Sequence, residues 1–227
     1  MGLVPDILHG GRYESAGYPV TGSFRLTHGT YTIRVAGGGA DGGVGDNSGP
    51  GWGGASGGWA QSTITIPAGA SYMFSVTAGA GFGPNSGNIN RVWSISRVVC
   101  ATLGVNITCT GGTPHRWQDV AGTGWAWSHP NSWITDGSGG IATDGQININ
   151  GQAASNTGVG GQCGIGTGML TVDLSVGNPI LLSGGGAAQT TPGEDGNLYG
   201  AGGGGGTRNQ SRGPGTAAPG CVYIFRS

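Results

Sequence analysis

The densest set of side chains able to recognise a ligand lies between positions 116 and 133. Arg116 and Trp117 are followed by Trp125, Trp127, His129 and Trp133, with Pro130 and Asn131 between the last two. An indole ring offers a flat apolar face and one N–H donor. Sugars set their C–H faces against such rings, and protein contacts use Trp, Tyr and Arg as anchors. The same rings would equally fill the core, or a subunit interface, of a chain short of Leu and Ile. Both readings stand at this level. The first makes Arg116, Trp117, Trp125, Trp127, His129 and Trp133 the candidate binding set.

Other chemistry is sparse. The chain has no lysine, so a Walker-type phosphate loop is excluded. Matches to GxGxxG near Gly79–Gly87 and Gly202–Gly206 are expected by chance in so glycine-rich a chain, and none opens a helix after a strand. His9, His28, His115 and His129 lie far apart and form no zinc spacing. Asp136-Gly137 and Asp144-Gly145 could bring hard oxygens to a cation, but Asp-Gly pairs are ordinary turn formers, and Asp41 and Asp46 read the same way. No GxSxG elbow with plausible partners occurs. Asn106-Ile107-Thr108 and Asn209-Gln210-Ser211 are sequons without a secretory signal to give them meaning. Among four cysteines, Cys100 and Cys109 are near enough in sequence to close a small loop by a disulfide; free thiols are the alternative. No metal, cofactor or catalytic group is expected.

Composition narrows the partners. Of 227 residues, 54 are Gly and 11 Pro, charged residues make up 8%, and the net charge is −1. The basic residues are all Arg and are scattered, so neither a nucleic-acid face nor a polybasic membrane patch is expected. No apolar run is long enough to span a bilayer. The N-terminus lacks the basic start and apolar stretch of a secretory signal, which points to synthesis and assembly in a cytoplasm. Hydrophobic content of 36% leaves only part of the chain for an ordinary core.

The elements that must position the binding set are short strands. Residues 29–36 alternate, with Tyr31, Ile33 and Val35 on one face and Thr32 and Arg34 on the other. Residues 59–66 and 71–78 alternate likewise and are separated by Pro67-Ala68-Gly69-Ala70, a turn by its composition. Further strands are expected at 92–99, 105–109, 146–150, 169–176, 178–183 and 221–225. Helical periodicity is almost absent. Residues 1–28 read as an irregular connector or docking arm, and residues 88–135 as an insertion that holds five of the seven tryptophans. Such strands predict an all-β fold, a β-sandwich, with glycine tracts leaving it as loops that collect at one end.

Those tracts are the unusual part. The last reads SGGGAAQTTPGEDGNLYGAGGGGGTRNQSRGPGTAAPG from Ser183 to Gly220 and runs straight into Cys221-Val222-Tyr223-Ile224-Phe225. Glycine tracts usually behave as flexible coil. This one lacks the charge of a solvated coil, is broken by Leu198 and Tyr199, and ends in a strand. The ordered alternative is a bundle of polyglycine II helices, three residues per turn with no internal hydrogen bonds, packed side by side so that each peptide group bonds a neighbour.

Three stretches carry a resemblance: GTYTIRVAGGGADGG; GGASGGWAQSTITIPAGASYMFSVTAGAG; and NPILLSGGGA, GAGGGGG and PGCVYIF in order. Over residues 29–87 and 169–227 the chain resembles the glycine-rich domain of bacteriophage tail-fibre tips and other virion proteins. It is also similar to the glycine-rich extracellular domain of the anaplastic lymphoma kinase family. Residues 88–168 are not covered. The resemblance implies a β-sandwich whose strands alternate with a packed polyglycine II bundle. It implies a non-enzymatic virion structural protein, a tail-fibre tip or receptor-binding adhesin, with a capsid decoration or head-fibre protein as the alternative. The expected partners are a bacterial surface polysaccharide or outer-membrane protein and, through the N-terminal arm, other virion or tail-fibre proteins, with a homotrimer or a monomer capping a fibre as the assembly. A depolymerase would need a paired acid and base, and the ten acidic residues sit mostly in turns.

Overall fold

The computed structural model describes residues 6–9, 20–43, 53–81, 94–113, 137–153, 195–196, 199–203 and 215–226. Eight strands are present among them: β1 (Asp6–His9), β2 (Val20–Ala36), β3 (Trp59–Ala78), β4 (Ser96–Cys100), β5 (Val105–Cys109), β6 (Ala142–Thr143), β7 (Ile147–Ile149) and β8 (Cys221–Arg226). They form one antiparallel sheet in the order β1-β8-β2-β3-β4-β5-β6, with β7 also paired to β3. The helical content of the described residues is 3-10 only: Ser94 and the turn Ala101–Leu103. The expected strands at 169–176 and 178–183 lie outside the described residues.

The frame is the β2–β3 ribbon. Its register runs from Val20 opposite Ala78 to Ala36 opposite Trp59, and is interrupted once, between Thr27 and Gly29. Thr27 faces Ser71 and Gly29 faces Ile66, so residues 67–70 stand against His28 alone. This corrects two expectations. Pro67-Ala68-Gly69-Ala70 is a bulge within one long strand, not a chain reversal, and Gly69 takes φ +78° to make it. Residues 20–28, expected to be irregular, are strand, as are Asp6–His9, which pair with β8. Proline and glycine here interrupt the pleat without reversing the chain, and only the partner strand reveals that the direction is kept.

The sheet curls so that its two halves share one core. Phe74, Val76 and Leu26 from beyond the bulge cluster with Ile33, Val35 and Ile66 from before it, together with Val98, Ile107, Val222 and Ile224. The Cys109 thiol donates to the Val35 carbonyl at 3.3 Å although β5 and β2 are not sheet neighbours. β6 and β7 carry the curl back from β5 to β3.

The β4–β5 hairpin decides the disulfide question. Ser96 faces Cys109 and Cys100 faces Val105, so the two cysteines sit at opposite ends of the hairpin. Four residues of strand separate them by about 13 Å, beyond the roughly 7 Å limit on Cα spacing for a bridge. Cys100 and Cys109 are free and buried, as is Cys221.

Candidate functional site

β2, β3, β5 and β8 hand the chain to the glycine-rich segments at one end of the curled sheet. Folding the β2–β3 ribbon over brings its two ends together: residues 37–43 leave β2, 53–58 enter β3, 79–81 leave β3 and 215–220 enter β8. These segments bond one another through their backbones. Gly37 N–H donates to Gly58 O (2.9 Å), Gly38 to Ser94 O (2.9 Å), Gly39 to Ala218 O (2.9 Å) and Ala40 to Ala55 O (2.8 Å). Gly42 then donates to Gly215 O at 3.1 Å. Donors three residues apart thus reach the same neighbour: Gly37 and Ala40 the 53–58 segment, Gly39 and Gly42 the 215–220 segment. Gly54 and Gly57 likewise both donate to the 199–203 segment, at Gly203 O and Gly200 O, each at 2.8 Å.

Side chains pin this assembly at a few points. Asp41 is buried and its carboxylate accepts from the Ala217 N–H. Asp195 accepts from both the N–H and the hydroxyl of Thr216, each at 2.7 Å. Ser96 Oγ accepts from Gly79 N–H at 2.9 Å, and Ser56 Oγ from Gln152 N–H at 2.7 Å. Asp41, weighed in the sequence as a turn former or a cation ligand, is committed to a neighbouring backbone. Asp41→Ala leaves the Ala217 N–H buried and unpaired, and is expected to destabilise by about 1–3 kcal/mol. Chemical denaturation with Asp41→Asn alongside checks this, since the amide oxygen can still accept and should recover part of the loss.

The candidate binding residues Arg116, Trp117, Trp125, Trp127, His129 and Trp133 lie outside the described residues, but both flanks of their stretch are described. Thr113 is buried, and its N–H donates to Ser138 O at 3.0 Å. Its hydroxyl also lies 3.1 Å from Ser138 O and 3.3 Å from Ser138 Oγ. Residues 114–136 therefore leave and rejoin the described structure at adjacent points. Gly112 N–H donates to Gly38 O at 2.9 Å, which ties these flanks to the glycine segments. Among the described residues, no three His, Cys, Asp or Glu side chains converge to hold a metal ion. Nor is any helix there long and apolar enough to cross a membrane.

A second cluster was not foreseen. Arg34, expected on the polar face of a half-buried strand, is only 7% exposed. Residues 31–36 are buried on both faces because Trp59, Cys221 and Tyr223 form a smaller core on the outer side, with Tyr199, Phe225 and Ile149 against it. Arg34 Nε donates to Gln61 Oε1 at 2.7 Å, and the guanidinium carbon lies 5.0 Å from the centre of the Phe225 ring. That ring in turn sits 5.1 Å from Tyr223. Burial lowers the Arg34 pKa, with Tyr223 opposing. Alternation alone placed Arg34 outward, and the aromatic residues at 59, 199, 223 and 225 were the available signal that this face is covered too.

Titration above neutrality follows from the same burial. Desolvation pushes the Cys221 thiol from 9.0 up to about 12. It raises Cys109 as well, with neighbouring Cys221 adding to the effect, and raises Tyr199 and Tyr223. Each group holds its proton more tightly folded than unfolded. Its contribution to stability is therefore complete below the unfolded value and is lost as pH rises through the folded one. The Tm is expected to hold up to pH 9.0 and to fall progressively toward about pH 12. Thermal melts across that range check this, and Cys221→Ser should fall less steeply.

Compared with known proteins, the chain matches no protein-family model and no curated sequence.

Proposed function

We propose that this protein is a non-enzymatic bacteriophage virion adhesin, a tail-fibre tip that presents receptor-contacting loops on a polyglycine II bundle. The observation that carries the reading is the three-residue repeat of donor directions at Gly37 and Ala40, Gly39 and Gly42, and Gly54 and Gly57. A helix with three residues per turn and no internal hydrogen bonds turns every third N–H toward the same neighbour. Together with the resemblance of residues 29–87 and 169–227 to phage glycine-rich domains, it supports tracts that serve as structure. In this reading the curled sheet works as a β-sandwich closed on itself. The bundle fixes the ends of the Trp-rich stretch, so recognition of a bacterial surface polysaccharide or outer-membrane protein costs less ordering entropy.

Binding of the purified protein to intact candidate host cells tests this, with the Trp125→Ala, Trp127→Ala double variant beside it. Saturable binding that competes with phage infection, and that a still-folded double variant loses by about tenfold or more, is the expected result. Binding that survives the substitution keeps the adhesin and moves its site. No binding to any susceptible cell overturns the adhesin and favours the capsid decoration protein, which copy number per particle then tests.

A further inference from the structure

The outer face of the sheet beyond the bulge carries a polar array that the adhesin reading leaves unused. Register places Thr21, Thr77, Arg97, Thr108 and Thr143 side by side across β2, β3, β4, β5 and β6. Residues paired directly across antiparallel strands share a face. Arg25 stands opposite Met73 farther along the β2–β3 ribbon, with Ser75 between the two levels. Arg25, Met73, Ser75 and Arg97 are all exposed, and Met73 is 48% exposed.

Both guanidiniums are held by neutral partners. Arg97 donates to Asn106 Oδ1 through Nε (2.8 Å) and Nη2 (2.6 Å), and Arg25 Nη1 lies 3.3 Å from Ser71 Oγ. No carboxylate lies among these paired outer-face residues; Asp144 follows Thr143 in the bend beyond the array. The face is therefore cationic, and its cations are oriented without a counter-ion from the array itself.

From this we infer that the face is a second binding surface, for an acidic surface polysaccharide of the host bacterium. Charge spacing selects the occupant. Four residues along the strand and two strands across put Arg25 and Arg97 about 13 Å apart one way and about 10 Å the other. That exceeds the Debye length of about 8 Å at physiological salt, so each acts as a separate charge. A nucleic acid carries one charge about every 3.4 Å of strand and calls for clustered cations. A polysaccharide with one carboxylate per repeat unit suits two separated guanidiniums. The Thr and Ser hydroxyls between them match its neutral hydroxyls, and Met73 offers an apolar patch to a sugar C–H face. The inference rests on the adhesin reading for the polymer's source, and on the register for the face.

Hyaluronan, with one carboxylate per disaccharide, is the probe, and carboxyl-reduced hyaluronan is its neutral control. Calorimetric titration of the full chain is expected to show binding to hyaluronan that weakens with added salt, and none to the reduced polymer. Arg25→Gln and Arg97→Gln should each lower the affinity about tenfold, and the pair about a hundredfold. Failure to bind hyaluronan, equal binding to the reduced polymer, tighter binding to duplex DNA, or full binding by the double Arg variant overturns the proposal. The cell-binding assay separates the two readings. Cell binding without hyaluronan binding removes this face and keeps the adhesin, whereas hyaluronan binding without cell binding keeps the cationic face and removes the bacterial source.

Discussion

Gly54→Ala is expected to destabilise the fold by about 3 kcal/mol or more, lowering Tm by about 6–12 °C for a chain of this size. The clash would be with backbone, not with a flexible side chain. A Cβ at Gly54 would fall on the Ala40 carbonyl oxygen, inside van der Waals contact. Ala40 cannot withdraw cheaply, because its N–H donates to Ala55 O at 2.8 Å and its carbonyl accepts from Gly203 N–H at 3.0 Å. Gly54 itself donates to Gly203 O at 2.8 Å, so a shift on either side disturbs three segments. Gly69→Ala is the contrasting variant. Gly69 has open space around it and a positive φ of 78°. Its substitution should cost only the conformational penalty, about 1 kcal/mol. Thermal melts of the two variants check the pair. Equal, small losses would mean that the tracts do not hold the chain.

Phe74→Ala is expected to cost about 3–5 kcal/mol. Phe74 is fully buried and heads the large side chains of the core. It faces Phe24 across the ribbon and belongs to the same cluster as Ile33 and Val35 from the other half of the sheet. Truncating it leaves a cavity where the two halves meet, so the curl itself is weakened. Its neighbour Met73 points outward, and Met73→Ala should change stability by no more than about 0.5 kcal/mol. Urea midpoints for both variants check the contrast, which depends on the alternation holding beyond the bulge.

Alternation made much of the sheet legible. The closing strand and residues 105–109 were placed nearly to the residue, and 146–150 contains β7. Tyr31, Ile33 and Val35 are buried as their spacing implies. The gathering of glycine segments at one end was legible too, since each tract adjoins a strand end. What escaped has physical causes. Proline and glycine at 67–70 signal a break in local pleating, and only the continuous β2 register shows that the strand resumes. Arg34 is buried by residues that come from β3, from β8 and from Tyr199, far away in sequence. Asp41 in a glycine tract reads as a turn, yet its partner is Ala217. The aromatic cluster at 116–133 remains a proposal from composition, tied to the structure through Thr113 and Ser138.

The most direct test of the central claim, that the glycine tracts are structure, is amide hydrogen exchange at Gly39, Ala40, Gly54 and Gly57 measured by NMR. Their N–H groups each bond a neighbouring segment. Protection comparable to that of Ile33 and Val35 in β2 is expected, and loss of protection at all four in Gly54→Ala. Exchange at unprotected rates in the parent protein, with β2 still protected, would contradict it and leave the tracts as linkers around a curled sheet.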